Sequence, residues 1–316
     1  MRIAVLDDWA GVARDMAEWD GLGEVTVFTD PIPADRLAET LRPFEAICLM
    51  RERTPFPAAL IEALPELRLI VTTGSRNLSI DVAAARARGI VVSGTPSRKT
   101  STAELTLALV LHQCRRIGTE AARLDKGGFQ GPPGRDLADL RVGLVGLGNI
   151  GTQVATLLRA FGAEVAAWSP NLTAERAADA GVAPAPDLRA LAAGSDVLSV
   201  HMVLAESTRH LLGAEALAAL PAGAVVVNTS RAGLLDRDAL FDWLGRDPAA
   251  RAAIDVFETE PLPAEDPWRA ARRQFGDRLL LTPHLGYVTQ ATWRLFYQET
   301  AAAVAAFQDG NPIRTL

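Results

Sequence analysis

The chain has 316 residues, 49% of them hydrophobic, and carries a net charge of −6. That length accommodates about two domains with a substantial core each, and the acidic balance excludes the electrostatic footprint of a nucleic-acid binder. Lys99 and Lys126 are the only lysines, which argues against Schiff-base chemistry, and Cys48 and Cys114 lack CxxC or His–Cys spacing, so neither a disulfide framework nor a metal site is indicated. The N-terminus runs straight into a strand, and no apolar stretch has the length of a signal core or a membrane span. A reducing, cytoplasmic location without a membrane partner is the expectation.

Strands are predicted at Ile3–Leu6, Val25–Phe28, Ala46–Met50, Leu69–Thr72 and Ile90–Val92, with helices at Ala34–Leu41, Ala58–Ala63 and Asp81–Arg88 among them. Strands alternating with helices of this length imply a parallel sheet covered on both faces. Residues 1 to about 98 therefore read as one small α/β domain. Ser101-Thr102-Ala103-Glu104 has the form of a capping box. It opens a long apolar helix, Thr102 to about Ile117, suited to bridging two domains. Gly127 to Gly134 then read as an irregular loop.

A second α/β unit starts at Leu140 with RVGLVGLGNIG. Val142 to Val145 are a strand, Gly146, Gly148 and Gly151 supply G-x-G-x-x-G, and Val154 to Phe161 continue as a helix. Asn149 and Ile150 fill the variable places. This strand–turn–helix context is what dinucleotide binding requires: a tight turn, close approach of backbone to pyrophosphate, and a helix N-terminus facing the phosphates. NAD sites usually carry an acid about 20 residues further on. Here the strand Glu164–Trp168 ends in Ser169-Pro170-Asn171. No carboxylate repels a 2′-phosphate and no adjacent arginine clamps one, Arg176 lying a helical turn or more away. NAD and NADP both stay open.

Later strands are predicted at Val197–Val200, Ala224–Asn228, Ala253–Val256 and Leu279–Leu281, and a closing helix at Thr289–Phe307. With no strand after it, that helix can return to the first domain and make it discontinuous. Three polar side chains follow strands: Arg231 after VVVNTS, Glu260 after AAIDVFET, and His284 after LLLTP. Ligands of parallel sheets sit beyond the strands' carboxyl ends. There an imidazolium can protonate an oxygen that gains charge, a carboxylate can orient it, and a guanidinium can bind a substrate carboxylate and polarise a carbonyl. Taken singly, each also fits a surface ion pair, a turn residue or a loop cap.

GLGNIG, NTSRAGLLD, AAIDVFETEPL and TPHLG, with TPSRKTSTAELTLALVL before them, resemble the D-isomer-specific 2-hydroxyacid dehydrogenases over essentially the whole chain. The resemblance implies an α/β fold of two doubly wound parallel-sheet domains. A Rossmann nucleotide domain (99–285) is inserted in a flavodoxin-like substrate domain (1–98 plus 286–316). It implies an NAD(P)-dependent oxidoreductase that reversibly reduces a small anionic 2-keto acid to the (R)-2-hydroxy acid. His284 would be the acid/base, Glu260 its partner and Arg231 the substrate-polarising group. Gly146, Gly148, Asn149, Ile150, Gly151, Ser169, Thr229, Ser230, Asp255 and Gly286 would line the cofactor site, Asp255 beside the carboxamide, while His201 has a structural role. Gly74 and Ser75 would hold the substrate carboxylate. TTGSRNLSID departs there from the Gly-Tyr-Asp-like stretch of many relatives, which opens the substrate preference. Arg51 and Arg76 suit a second anionic subsite, and Arg53 reads as solvated surface. Relatives dimerise around the long helix and the 127–134 segment, so a homodimer is expected. Formate- and phosphite-type chemistries lack their glutamine and lysine here. The chain is also expected to lack the C-terminal regulatory domain of longer phosphoglycerate dehydrogenases. The alternative is a dinucleotide-sensing, corepressor-like interaction protein, which retains the same Arg, Glu and His.

Overall fold

The computed structural model describes residues 1–316. The chain divides into two compact units, Met1–Arg98 with Thr289–Leu316, and Lys99–Val288. The boundary expected at residue 286 falls at Thr289. Both units are α/β with wholly parallel sheets, the fold class expected.

The first unit holds β1 (Arg2–Val5), β2 (Glu24–Val27), β3 (Ala46–Leu49), β4 (Leu69–Thr72) and β5 (Val91–Gly94) in the order β2-β1-β3-β4-β5. β3 and β4 are buried at every residue, as central strands covered on both faces must be. That explains why their sequences read as unbroken apolar runs. Helix Gln290–Gln308 from the end of the chain packs against β4, and its Tyr297 hydroxyl donates to the buried Asp8 carboxylate at 2.9 Å. The last residues then run along β5, with Leu316 N donating to Val92 O and Thr315 bridging Ser93 in antiparallel fashion.

The second unit holds β6 (Arg141–Val145), β7 (Glu164–Trp168), β8 (Ala183–Pro184), β9 (Val197–Val200), β10 (Val225–Asn228), β11 (Arg251–Ile254) and β12 (Leu279–Leu281), ordered β12-β11-β10-β9-β6-β7-β8. The order reverses between β6 and β9, the crevice where a doubly wound sheet binds its ligand. Alternation within β9 feeds two cores: Leu198 and Val200 join one face, Val197 the other. β8 is a two-residue, exposed edge strand ending in proline. Its shortness and its proline, tolerated only at an edge, leave no periodic signal in sequence.

Helix Thr100–Arg115 belongs to the second unit and packs on helix Asn149–Ala160, β10 and β11. The expected capping box does not form. Lys99 holds the N-cap position without a side-chain bond, and Ser101 is buried in the first turn with its hydroxyl unpartnered. Remote partners set this helix instead. Thr102 Oγ1 donates to Gly286 O at 2.8 Å, and the Thr106 and Thr229 hydroxyls meet at 2.9 Å. Arg116 ends the helix in a left-handed conformation (φ 55°), and a second helix, Ile117–Asp125, follows. No helix is long and apolar enough to cross a membrane.

Candidate functional site

β6 delivers the glycine fingerprint into its turn. Gly146 has φ 102°, and a Cβ there would strike the carbonyl of His201, while one on Gly151 would strike that of Gly146. These two positions must therefore be glycine for loop, helix and β9 to pack. Gly148 faces open space and stands at the N-cap of helix Asn149–Ala160, whose first turn has no side-chain cap. Unsatisfied amides beside room for an anion suit a pyrophosphate, so the residues present fit a dinucleotide. His201, at the end of β9, meets Ser199 Oγ through Nε2 at 2.9 Å, and its Nδ1 is buried without a partner. Burial holds this imidazole down at about 4.

Arg176 lies closer to the fingerprint than its sequence distance suggests. The short helix Ala174–Asp179 turns it back, and its Nη2 donates to Leu147 O at 3.2 Å.

Three adjacent parallel strands carry the polar residues. Beyond β10, the Asn228 side chain braces the turn, accepting from Ser230 N and donating to Arg231 O, both at 3.0 Å. Ser230 Oγ donates to Val200 O, and Arg231 is half-buried. Beyond β11, the buried Asp255 carboxylate receives Leu285 N at 2.8 Å, Gly286 N at 2.9 Å and the Thr282 hydroxyl at 2.6 Å. Burial pushes its carboxyl up despite those bonds and the nearby His284. Asp255 thereby fixes the segment after β12 that carries His284.

Glu260 is oriented at both oxygens, Oε1 accepting from Phe257 N at 2.9 Å and Oε2 lying 2.6 Å from His284 Nδ1. His284 is in a left-handed conformation (φ 53°), and the ring of Tyr287 meets it edge-on at 5.2 Å. Its Nε2 makes no hydrogen bond. The paired side chains remain about one-fifth exposed. An imidazole held at one nitrogen by a carboxylate and open at the other can take or give a proton at Nε2.

Sequence reasoning named Arg231, Glu260, His284 and Asp255 but missed Asn228 and Thr282, which bond to Arg231 and Asp255, and Thr102 and Thr106, which tie down the neighbouring Gly286 and Thr229. Asn228 alone left a signal, being an Asx residue at a strand exit. The threonines act across 27 to 184 residues of sequence.

Arg51, Gly74 and Ser75 lie in the first unit, after β3 and β4. Arg51 donates through N to Thr73 Oγ1 at 2.8 Å and through Nη1 to Thr73 O at 3.1 Å, and Nη1 occupies the space a Cβ would fill on Gly74. Asn77 ties Arg51 O to Thr72 Oγ1 through its amide. Ser75 and Arg76 are exposed. Arg53 is not the solvated residue expected. It donates to Asp7 O at 2.6 Å and lies 3.8 Å over the Trp9 ring.

A glycine-fingerprint Rossmann unit carrying a His–Glu pair is the architecture of a dinucleotide-dependent dehydrogenase. Residues 107–286 match the D-isomer-specific 2-hydroxyacid dehydrogenase NAD-binding domain, and the chain belongs to that family. It is 34% identical to the hydroxypyruvate reductase of Thermotoga maritima, over 86% of this chain and 87% of that one. It is 32% identical to the D-3-phosphoglycerate dehydrogenase of Methanocaldococcus jannaschii over 93% of this chain, and spans about half (54%) of that longer protein. Among solved structures, a putative D-3-phosphoglycerate dehydrogenase from Ralstonia solanacearum superposes with a TM-score of 0.91 at 35% identity, covering 100% of this chain and 96% of that one.

Proposed function

We propose that the protein reversibly reduces a small 2-keto acid to the (R)-2-hydroxy acid. The observation that carries this is the 2.6 Å His284–Glu260 pair at the strand edge of an NAD-binding domain. A bound nicotinamide dinucleotide supplies the hydride. His284 gives its Nε2 proton to the substrate oxygen as charge develops there, and takes it back in oxidation. Glu260, bonded at Nδ1, fixes the ring's orientation and leaves Nε2 to the substrate. Arg231 binds the substrate carboxylate and polarises the carbonyl. Thr229, Ser230, Asp255 and Gly286 line the nicotinamide end, and Gly146 to Gly151 the pyrophosphate.

The protein acts as a homodimer in this reading. Helix Ile117–Asp125 buries none of its residues within the chain, and Ile117, Leu124 and Phe129 are exposed. The test of function is turnover on glyoxylate, hydroxypyruvate, pyruvate and 3-phosphohydroxypyruvate with NADH and NADPH. Oxidation of either cofactor by at least one keto acid is expected. Tight cofactor binding with no turnover on any of them would replace the enzyme by a dinucleotide sensor.

A further inference from the structure

We propose that the adenosine end of this site is built for a 2′-phosphate, bound by Arg176, so that the protein takes NADPH in preference to NADH. The inference rests on the reading that the glycine loop holds a dinucleotide.

Backbone geometry places the relevant strand exit against that loop. Gly146 N donates to Trp168 O at 2.8 Å, which sets Ser169 beside the first glycine of the fingerprint. Ser169 is where a dinucleotide fold selects between ribose hydroxyl and phosphate: an acid there takes the hydroxyls and repels the phosphate. The exit here is Ser169-Pro170-Asn171, with no acid. It closes as a turn, Leu172 N donating to Ser169 O at 3.1 Å, with proline at the position whose φ it suits. Leu172 then anchors on the core.

That turn decides where the next cation goes. Thr173 caps helix Ala174–Asp179 by accepting from Arg176 N at 3.2 Å, and the Arg176 side chain reaches back to Leu147 O, the carbonyl between the first two glycines. Arg176 is exposed in the last turn of helix Ala174–Asp179. The single bond to Leu147 O uses one donor of five, and the rest suit a phosphate, which a guanidinium grips through paired N–H groups. Holding the side chain by the loop in advance lowers the rotamer entropy lost on binding. A neutral Ser169 beside a tethered guanidinium is thus matched to a 2′-phosphate.

The test is direct titration, independent of turnover. NADPH and NADH would be followed by nicotinamide fluorescence, and 2′,5′-ADP and 5′-AMP, which differ only in the 2′-phosphate, by calorimetry. The phosphate-bearing member of each pair should bind about tenfold or more tightly, the scale of a charge-assisted bond. Arg176→Ala should bring both ratios close to one, by weakening the phosphate-bearing member of each pair far more than its counterpart. Ser169→Asp should independently reverse the preference. Equal or tighter binding of NADH by the wild type, or an unchanged ratio in Arg176→Ala, would overturn the proposal and leave the dehydrogenase reading standing. If no nucleotide of either kind binds, the dinucleotide reading falls and this one with it.

Discussion

His284 has Nδ1 committed to Glu260 at 2.6 Å, so in the proposed mechanism Nε2 carries the proton and loss of the ring removes the donor alone. His284→Ala is expected to lower kcat for keto-acid reduction by about 10²- to 10⁴-fold, the usual worth of general acid catalysis. Cofactor affinity, measured by fluorescence titration, should stay within about twofold, because the fingerprint and Asp255 are untouched. Retained turnover would remove His284 from the mechanism. His201 makes a contrasting prediction. Its imidazole is held at about 4 by burial, whereas in the unfolded chain it takes a proton near pH 6.5. Folding stability from this group is complete above pH 6.5 and is lost as pH falls toward 4, at up to about 1.4 kcal/mol per pH unit. Thermal unfolding at pH 7, 6 and 5, above the range where most carboxyls titrate, should show a steeper loss for the wild type than for His201→Asn. Parallel slopes would show that the ring is not kept neutral by the fold.

At the scale of elements, the strands were legible as short apolar runs, whether central or not. β4 and β9 fall on the predicted residues because a parallel strand buried on both faces is a short, continuous apolar run, while β7 and the edge strand β12, only partly buried, were matched from short apolar runs alone. Strand ends elsewhere shift by a residue or two, and β8 passes unseen at an edge that needs little burial. The start of helix Thr100–Arg115 was misread for the opposite reason. A local capping pattern was present, but Thr102 and Thr106 bond to Gly286 and Thr229, and tertiary partners overrode it. The fingerprint is the element where pattern and packing agree most closely. Gly151→Ala would drive a Cβ into the Gly146 carbonyl, forcing helix and loop apart at a cost of about 1–3 kcal/mol. A lower Tm and NADH binding weakened about tenfold or more are expected in that variant. A stable protein with wild-type affinity would show that the loop yields without consequence.

At the scale of the whole molecule, one apolar surface is left uncovered. Helix Ile117–Asp125 presents Ile117 and Leu124, and Phe129 beyond it is 77% exposed. Apolar side chains grouped this way suit an isologous contact between copies. Light scattering at micromolar concentration should give a dimer, and Leu124→Asp with Phe129→Asp should give a folded monomer. A monomeric wild type would assign that surface no role in self-association.

The sequence by itself determined the class of the molecule. An interrupted series of buried strands with a glycine fingerprint in its middle specified two doubly wound sheets, and three strand ends supplied Arg231, Glu260 and His284. Those are local properties, written in periodicity and in steric demands on single residues. Only the tertiary structure decided which side chains hold those residues and that Arg176 reaches the fingerprint loop. Asp255 binds the amides of Leu285 and Gly286, and Arg176 comes to Leu147 through a turn and a short helix. Both depend on where the chain returns in space, and sequence distance does not encode that.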